Sequence, residues 1–245
     1  MELIKPQGLR IAHCSDIHLD PDTYGGGPAR RDQQREVFAA ALAAISAHGP
    51  DLMLLAGDLF DTNTATVETI QWAMETLSRL AFPVVMIPGN HDCLEEGAIY
   101  RRHDFSRIPN VCFLGDEAGE VARLPDLDVA VWGRGMADHS PDFRPLSGCP
   151  DRPAGARWYL GMGHGLYVGE GGQSWRSSPI RSDEVEASPC DYLALGHHHA
   201  AMELTGLTTT AAYSGSPTDM VGAGATYIIV DLSQTSAPDL TVHVA

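Results

Sequence analysis

The stretch Asp51-Leu-Met-Leu-Leu-Ala-Gly-Asp-Leu-Phe-Asp61 decides the fold, because an apolar run within it empties into a glycine and two aspartates. Leu52 to Ala56 is too short for a typical helix and starts just after Gly49-Pro50. It is apolar on both faces, as a parallel strand held between two layers is. Asp58 falls just past the strand's carboxyl end, the rim where open α/β sheets bind ligands, and Gly57 lets the backbone turn sharply there. The reading that organises the chain is that Asp58 bridges two metal ions, with other loops supplying the remaining ligands.

The same device recurs on either side. Leu9 to Asp16 reads as a first strand ending in Asp16-Ile17-His18, and one residue apart these two side chains can point the same way toward a single ion. A Pro- and Gly-rich loop from Asp20 to Arg31 leads to an alanine-rich helix, about Gln33 to Ala47, which Gly49-Pro50 stops. His48 at that stop is a residue of the helix terminus, with no chemistry assigned to it. Asp61 to Thr64 offers capping side chains for a second helix, about Ala65 to Leu80, with Val67, Ile70, Met74 and Leu77 spaced for one buried face. Phe82 to Ile87 is the third strand and delivers Pro88-Gly-Asn-His-Asp92, in which Asn90 can offer a carbonyl oxygen to a metal and His91 can sit over a substrate. Strand and helix alternate in the rhythm of a parallel sheet.

Beyond Leu94 the chain is less regular. Strands are expected near 111–114 and 127–132, and a loop over Pro141 to Pro153. The Tyr100-Arg-Arg-His103 cluster reads as a solvated helix face in preference to a phosphate site. Trp158 to His164 restores the sequence of apolar strand, glycine and histidine, and a Gly- and Ser-rich segment from Val168 to Ser178 is expected to form a mobile loop beside the site. Asp191 to His199 repeats the arrangement, with His197 and His199 facing inward and His198 elsewhere. Ala211 to Pro217 is a further strand and turn, and Thr226 to Asp231 with Leu240 to Val244 closes the chain as a strand pair.

Composition bounds the possibilities. The 245 residues, 44% hydrophobic and 20% charged, suit one domain over 1–245. A net charge of −16 counts against extended, sequence-independent nucleic-acid binding. The amino terminus lacks a secretory signal and no apolar run approaches a membrane span, so a cytoplasmic location without a membrane partner is expected. Five cysteines, none in Cys-x-x-Cys form, argue for reduced thiols over a disulfide framework or thiolate zinc site.

Collected, the candidate ligands are Asp16, His18, Asp58, Asn90, His164, His197 and His199. This mixed oxygen and nitrogen set suits Mn²⁺, with Fe or Zn²⁺ as alternatives, better than Ca²⁺. Two divalent ions sharing Asp58, about 3.5–4 Å apart, would use seven protein ligands economically. His91 is left to donate a proton or hydrogen bond to a leaving oxygen.

The series Asp16-x-His18, Gly57-Asp58-x-x-Asp61, Gly89-Asn90-His91-Asp92, His164-Gly165 and Gly196-His197-x-His199 resembles, in order, the motif set of the calcineurin-like metallophosphoesterases. The resemblance implies an α/β fold, a four-layer α-β-β-α sandwich with two central mixed sheets. It implies one ion on Asp16, His18, Asp58 and His199, and another on Asp58, Asn90, His164 and His197. His91 would assist catalysis, Asp92 would orient it, and Asp61 would support the ligands. Asp191 to His199 and Tyr213 to Pro217 are further similar to SbcD-type DNA-repair exonucleases, although the chain ends soon after Pro217, so no segment for an ATPase partner is expected.

The function these readings imply is phosphodiester hydrolysis, on nucleic-acid ends or a smaller ester, with a metal-bridging hydroxide attacking phosphorus in line. A phosphomonoesterase, or a non-catalytic scaffold on the same fold, are the alternatives. The sequence assigns no oligomeric state.

Overall fold

Alternation in Leu52–Ala56 (β2) sorts its side chains between two cores. Met53 and Leu55 face a helical layer with Phe38, Leu42, Ile70 and Leu77, while Leu52, Leu54 and Ala56 face a second sheet with Leu160, Met162 and Ala194. Every residue of the strand is buried, which its two-sided apolar character requires. The computed structural model of the chain describes residues 8–21, 27–169, 172, 178–219 and 221–245.

β2 lies inside a six-stranded sheet. Gly8–Cys14 (β1), β2, Val84–Ile87 (β3) and Val111–Phe113 (β4) run parallel in that order. The hairpin of Thr226–Ser233 (β13) and Ser236–Val244 (β14) joins antiparallel to β1. The outer face is covered by Pro28–Ala47 (α1) and Val67–Ser78 (α2). α1 begins five residues before the position expected from its alanines, because Pro28 at its first turn has φ preset for a helix; Arg30 and Arg31 are thus helical. Thr66 caps α2 by accepting from Thr69 N, so Val67 falls outside the buried stripe and is 53% exposed.

The second sheet is also six-stranded, ordered Ala201–Glu203 (β11), Ala211–Ser214 (β12), Tyr192–Gly196 (β10), Trp158–His164 (β7), Val129–Gly133 (β6) and Glu120–Leu124 (β5). Its central strands β12, β10, β7 and β6 are parallel, and both edges are antiparallel. The two sheets pack face to face through Ile11, Leu54, Val85, Val131, Leu160 and Ala194. Its outer face, with Trp132, Tyr159, Leu193 and Tyr213, is covered by Leu146, Ile180 and Val185. The fourth layer is therefore thin: one helical turn, Ser182–Glu186 (α4), a small ribbon of Leu166–Val168 (β8) and Pro179–Arg181 (β9), and loop.

Ile99–Arg102 (α3) buries Tyr100 and exposes Arg101 and Arg102, as a helix face does. Tyr24, Gly25 and most of the expected mobile loop, 170–171 and 173–177, lie outside the described residues. None of the helices among the described residues is long and apolar enough to cross a membrane.

Candidate metal centre

Because β1, β2 and β3 are parallel, and β7 and β10 are parallel, five carboxyl ends open onto shared loops. Asp16 and His18 follow β1, Asp58 follows β2, Asn90 to Asp92 follow β3, His164 ends β7, and His197 and His199 follow β10. The turns after β1 and β2 run side by side, with Asp16 N donating to the Gly57 carbonyl at 3.0 Å, Ile17 N to Asp58 at 2.8 Å and Asp61 N to Leu19 at 3.0 Å. These bonds hold Asp16, His18 and Asp58 at φ of 57°, 51° and 54°, a left-handed conformation costing non-glycine residues about 1–3 kcal/mol each. His197 is strained likewise, at φ 104°.

Glycines bring the two sheets into contact. A Cβ on Gly196 would collide with the Ala56 carbonyl oxygen, and one on Gly57 would enter the His164 ring. His164 uses that closeness: its Nδ1 donates to the Ala56 carbonyl at 2.8 Å, which turns Nε2 toward Asp58 Oδ2 at 3.2 Å and Asn90 Oδ1 at 2.9 Å. His197 Nδ1 meets the same Asn90 oxygen at 2.8 Å. On the other side of Asp58, His18 Nε2 lies 3.8 Å from Asp58 Oδ2, 4.0 Å from Asp16 Oδ1 and 3.2 Å from His199 Nε2. His199 Nε2 is 3.6 Å from Asp16 Oδ1. Asp58 Oδ2 thus stands between two clusters of donor atoms, each containing two imidazole nitrogens and further oxygens.

The seven expected ligands are therefore brought together, and the donor chemistry fits divalent cations. Imidazole nitrogens 3.2 Å apart on a buried carboxylate floor repel one another unless a proton or a cation lies between. Triads Asp16/His18/His199, Asp16/Asp58/His164 and His18/Asp58/His91 each place their ligand atoms within 4.8 Å of one another. Electrostatics say the same. Burial opposes it, but the charges of His164 and His18 hold the Asp58 carboxyl far below the usual carboxylate range. His164 is pushed up to about 9, the Asp58 charge overcoming the burial that disfavours its protonated form. His197 falls to about 4 through burial and the His164 charge.

His91 lies at the rim with its side chain 35% exposed. Its Nδ1 donates to the Asp61 carbonyl at 2.7 Å, its backbone N–H donates to Asp58 Oδ1 at 2.8 Å, and its ring stands edge-on to His18 at 4.6 Å. Asp92, expected to orient His91, has its carboxylate hydrogen-bonded to other groups. Its buried carboxylate accepts from Gly89 N at 2.7 Å, Phe60 N at 3.2 Å and Tyr100 Oη at 2.6 Å, because the turn after β3 points it back into the core. Asp61 Oδ1 lies 3.2 Å from His18 Nδ1, so Asp61 backs His18 through its carboxylate and His91 through its carbonyl. His198 turns away, onto the Ala200 carbonyl and the Tyr213 ring.

Nothing in the local sequence marks His139. It sits in the loop after β6, its ring 5.9 Å from His197, six residues past the strand end at Gly133 and so too far along the loop for the strand to signal it. Ser216 is visible in the sequence only as part of a turn, yet its Oγ donates to the Asp16 carbonyl at 2.7 Å and steadies the strained residue.

Comparison with known proteins gives the chain a family. The family model of the calcineurin-like phosphoesterases matches residues 9–201, and the chain belongs to that family of metal-dependent phosphoric ester hydrolases. It is 27% identical over 227 residues to the uncharacterized metallophosphoesterase YhaO of Bacillus subtilis, covering 85% of this chain and 53% of that protein. The D component of nuclease SbcCD from the same organism is 25% identical over 245 residues, covering 85% of this chain and 61% of that protein. The chain thus spans between half and two thirds of the length of these curated relatives. The solved structure of a novel archaeal phosphodiesterase superposes with a TM-score of 0.50 at 11% identity, covering 97% of this chain and 100% of that one, a likeness of fold.

Proposed function

We propose that the chain is a two-metal phosphodiesterase acting on a short or end-presented phosphodiester. The observation that carries this reading is the place of Asp58 Oδ2, 3.8 Å from His18 Nε2 on one side and 3.2 Å from His164 Nε2 on the other. One ion would be held by Asp16, His18, Asp58 and His199, the other by Asp58, Asn90, His164 and His197. Bound there, two divalent ions would lower the pKa of a water between them and offset the charge of a phosphate.

The protein's own groups do the rest. With Nδ1–H committed to the Asp61 carbonyl and the side chain 35% exposed, His91 has Nε2 left to pass a proton to a leaving oxygen. Strained turns tied to one another hold the ligands before anything binds, so little reorganisation is needed.

The arginines support this choice of substrate class. Arg31 Nε lies 3.3 Å from Asp20, while Arg101 donates to the Leu94 carbonyl and lies 3.9 Å from Glu117. Cations so engaged, on a chain of net charge −16, make a poor track for a long polyanion and suit a substrate that presents one phosphodiester. The test is hydrolysis of bis-p-nitrophenyl phosphate by the purified protein with Mn²⁺, against p-nitrophenyl phosphate, cyclic nucleotides, dinucleotides and long single-stranded DNA. Preference for short diesters, abolished by Asp58→Asn, is expected. Monoester preference, or turnover that survives Asp58→Asn, overturns the reading.

A further inference from the structure

Away from the metal centre, on the outer face of the second sheet, two thiols from segments 41 residues apart face each other. Cys149 Sγ and Cys190 Sγ are 4.0 Å apart. The segments that carry them are tied together by neighbouring residues: Arg152 makes a two-pronged ion pair with Asp191, at 2.9 and 2.6 Å, and Asp191 also accepts from Tyr159 N at 2.8 Å. Cys190 is buried, its sulfur packed where a Cβ on Gly161 of β7 would meet it at 3.0 Å. Cys149 is half-buried and follows Gly148, whose φ is 84°. Bringing the sulfurs from 4.0 Å to the ~2.05 Å of a disulfide asks for side-chain rotation between segments that are already held together.

We propose that Cys149 and Cys190 are an oxidisable dithiol, converted by a hydroperoxide into an intramolecular disulfide that pins the loop after β6 to the segment before β10. Cys149 is the attacking thiol. It is the more accessible of the two, and the Tyr159 hydroxyl lies 3.5 Å from its sulfur. Hydrogen bonding from Cys190, ahead of the opposing effect of burial, lowers its pKa, whereas Cys14, Cys93 and Cys112 are all raised by burial.

In the first step the Cys149 sulfur bonds to one peroxide oxygen, the O–O bond breaks, and hydrogen peroxide gives a sulfenic acid and one water. In the second, Cys190 sulfur attacks that sulfenic sulfur, the S–O bond breaks, and a second water leaves with the remaining thiol proton. Two thiols lose two electrons in all and one peroxide gains them. A dithiol reductant reverses the change.

The consequence is local to the strands that carry ligands. The loop closed onto Cys190 also places Leu146 and Pro145 against Gly163 and Gly165, either side of His164, and His139 beside His197. Oxidation therefore stiffens the outer wall of the second sheet without touching a ligand.

The test treats the full chain with a small excess of hydrogen peroxide, blocks remaining thiols with iodoacetamide, and maps the digest by mass spectrometry. A cross-linked peptide pair carrying Cys149 and Cys190, about 2 Da lighter than its parts, is expected. Cys14, Cys93 and Cys112 should remain alkylated and the cross-link should be lost on reduction. In Cys190→Ser, dimedone should trap a sulfenic acid at Cys149, and in Cys149→Ser the remaining four thiols should all stay alkylated. Full alkylation of both cysteines after exposure, or cross-links running only between separate chains, overturns the proposal.

Discussion

Asp58 Oδ2 lies 3.2 Å from His164 Nε2, both side chains buried, so a protonated His164 forms an ion pair with the carboxylate proposed to bridge the metals. His164 is raised from 6.5 to about 9, so its protonated form stabilises the fold fully below pH 6.5 and that contribution is lost as pH rises toward 9. Asp58 is depressed from 3.8, so its contribution is present above that value and is lost as pH falls below it. This pair should therefore contribute fully between about pH 4 and 6.5 and lose roughly 3 kcal/mol toward pH 9, at 1.36 kcal/mol per unit, whereas His197, lowered to about 4, costs stability as pH falls below 6.5, so the metal-free chain should be most stable near pH 6.5. Urea midpoints across that range check this. A flat profile for metal-free protein, or the same decline in Asp58→Asn, would show that the pair is not the cause.

A metal bound at His164, as proposed, would have to displace its proton, since only neutral imidazole is a ligand. At pH 7.5 binding of Mn²⁺ should release protons, and affinity should climb as pH rises toward 9. Calorimetry in two buffers of different ionisation enthalpy reads the release directly. An enthalpy identical in both buffers rules it out.

How far the sequence reaches depends on whether a residue's partners are set by strand polarity. Asp16, Asp58, Asn90, His164 and His197 are legible because each follows an apolar run, and parallel strands deliver such residues to one edge. The start of α1 is hidden because Gly27 and Pro28 look like loop punctuation, although a proline at the first helical turn costs nothing. Asp92 misleads for a different reason. Its neighbours in the chain say that it touches His91, but the direction of its side chain is set by donors from Phe60 and Tyr100, 32 and 8 residues away. β5, β8, β9 and β11 are short strands at sheet edges or in the small ribbon, with too few residues for an alternating pattern to mark them.

Gly196→Ala should damage the centre without altering any ligand. Its Cβ would strike the Ala56 carbonyl and come within 2.7 Å of His164 Nδ1, and backbone cannot yield cheaply. A loss of about 1–3 kcal/mol with weakened metal binding is expected. Gly169→Ala, which has nothing within 4 Å, is the control. Equal melting temperatures and metal content for the two variants would mean that the sheets need not approach so closely.

Tyr100→Phe tests the reassignment of Asp92. Removing a hydroxyl 2.6 Å from a buried carboxylate leaves Asp92 with only its Gly89 and Phe60 donors, a cost of about 1–3 kcal/mol. Denaturant midpoints should fall while metal stoichiometry holds. If turnover drops as far as in a His91 variant with stability unchanged, Asp92 acts on the chemistry after all.

His91 faces two assignments that one variant separates. Its ring shares a 4.8 Å cluster with His18 and Asp58, as a ligand would, yet its Nδ1 is held by the Asp61 carbonyl and its outward face is open, as a proton donor's would be. His91→Asn should keep full metal content and lower kcat by about 10²–10⁴-fold. The size of that loss should depend on the leaving group: p-nitrophenolate departs readily as an anion and needs little help, whereas an alkyl or ribose hydroxyl needs the proton. A larger defect on a dinucleotide than on bis-p-nitrophenyl phosphate therefore assigns His91 to the leaving oxygen. Equal defects on both substrates with metal retained would place it on the phosphate instead, and loss of an ion would make it a ligand.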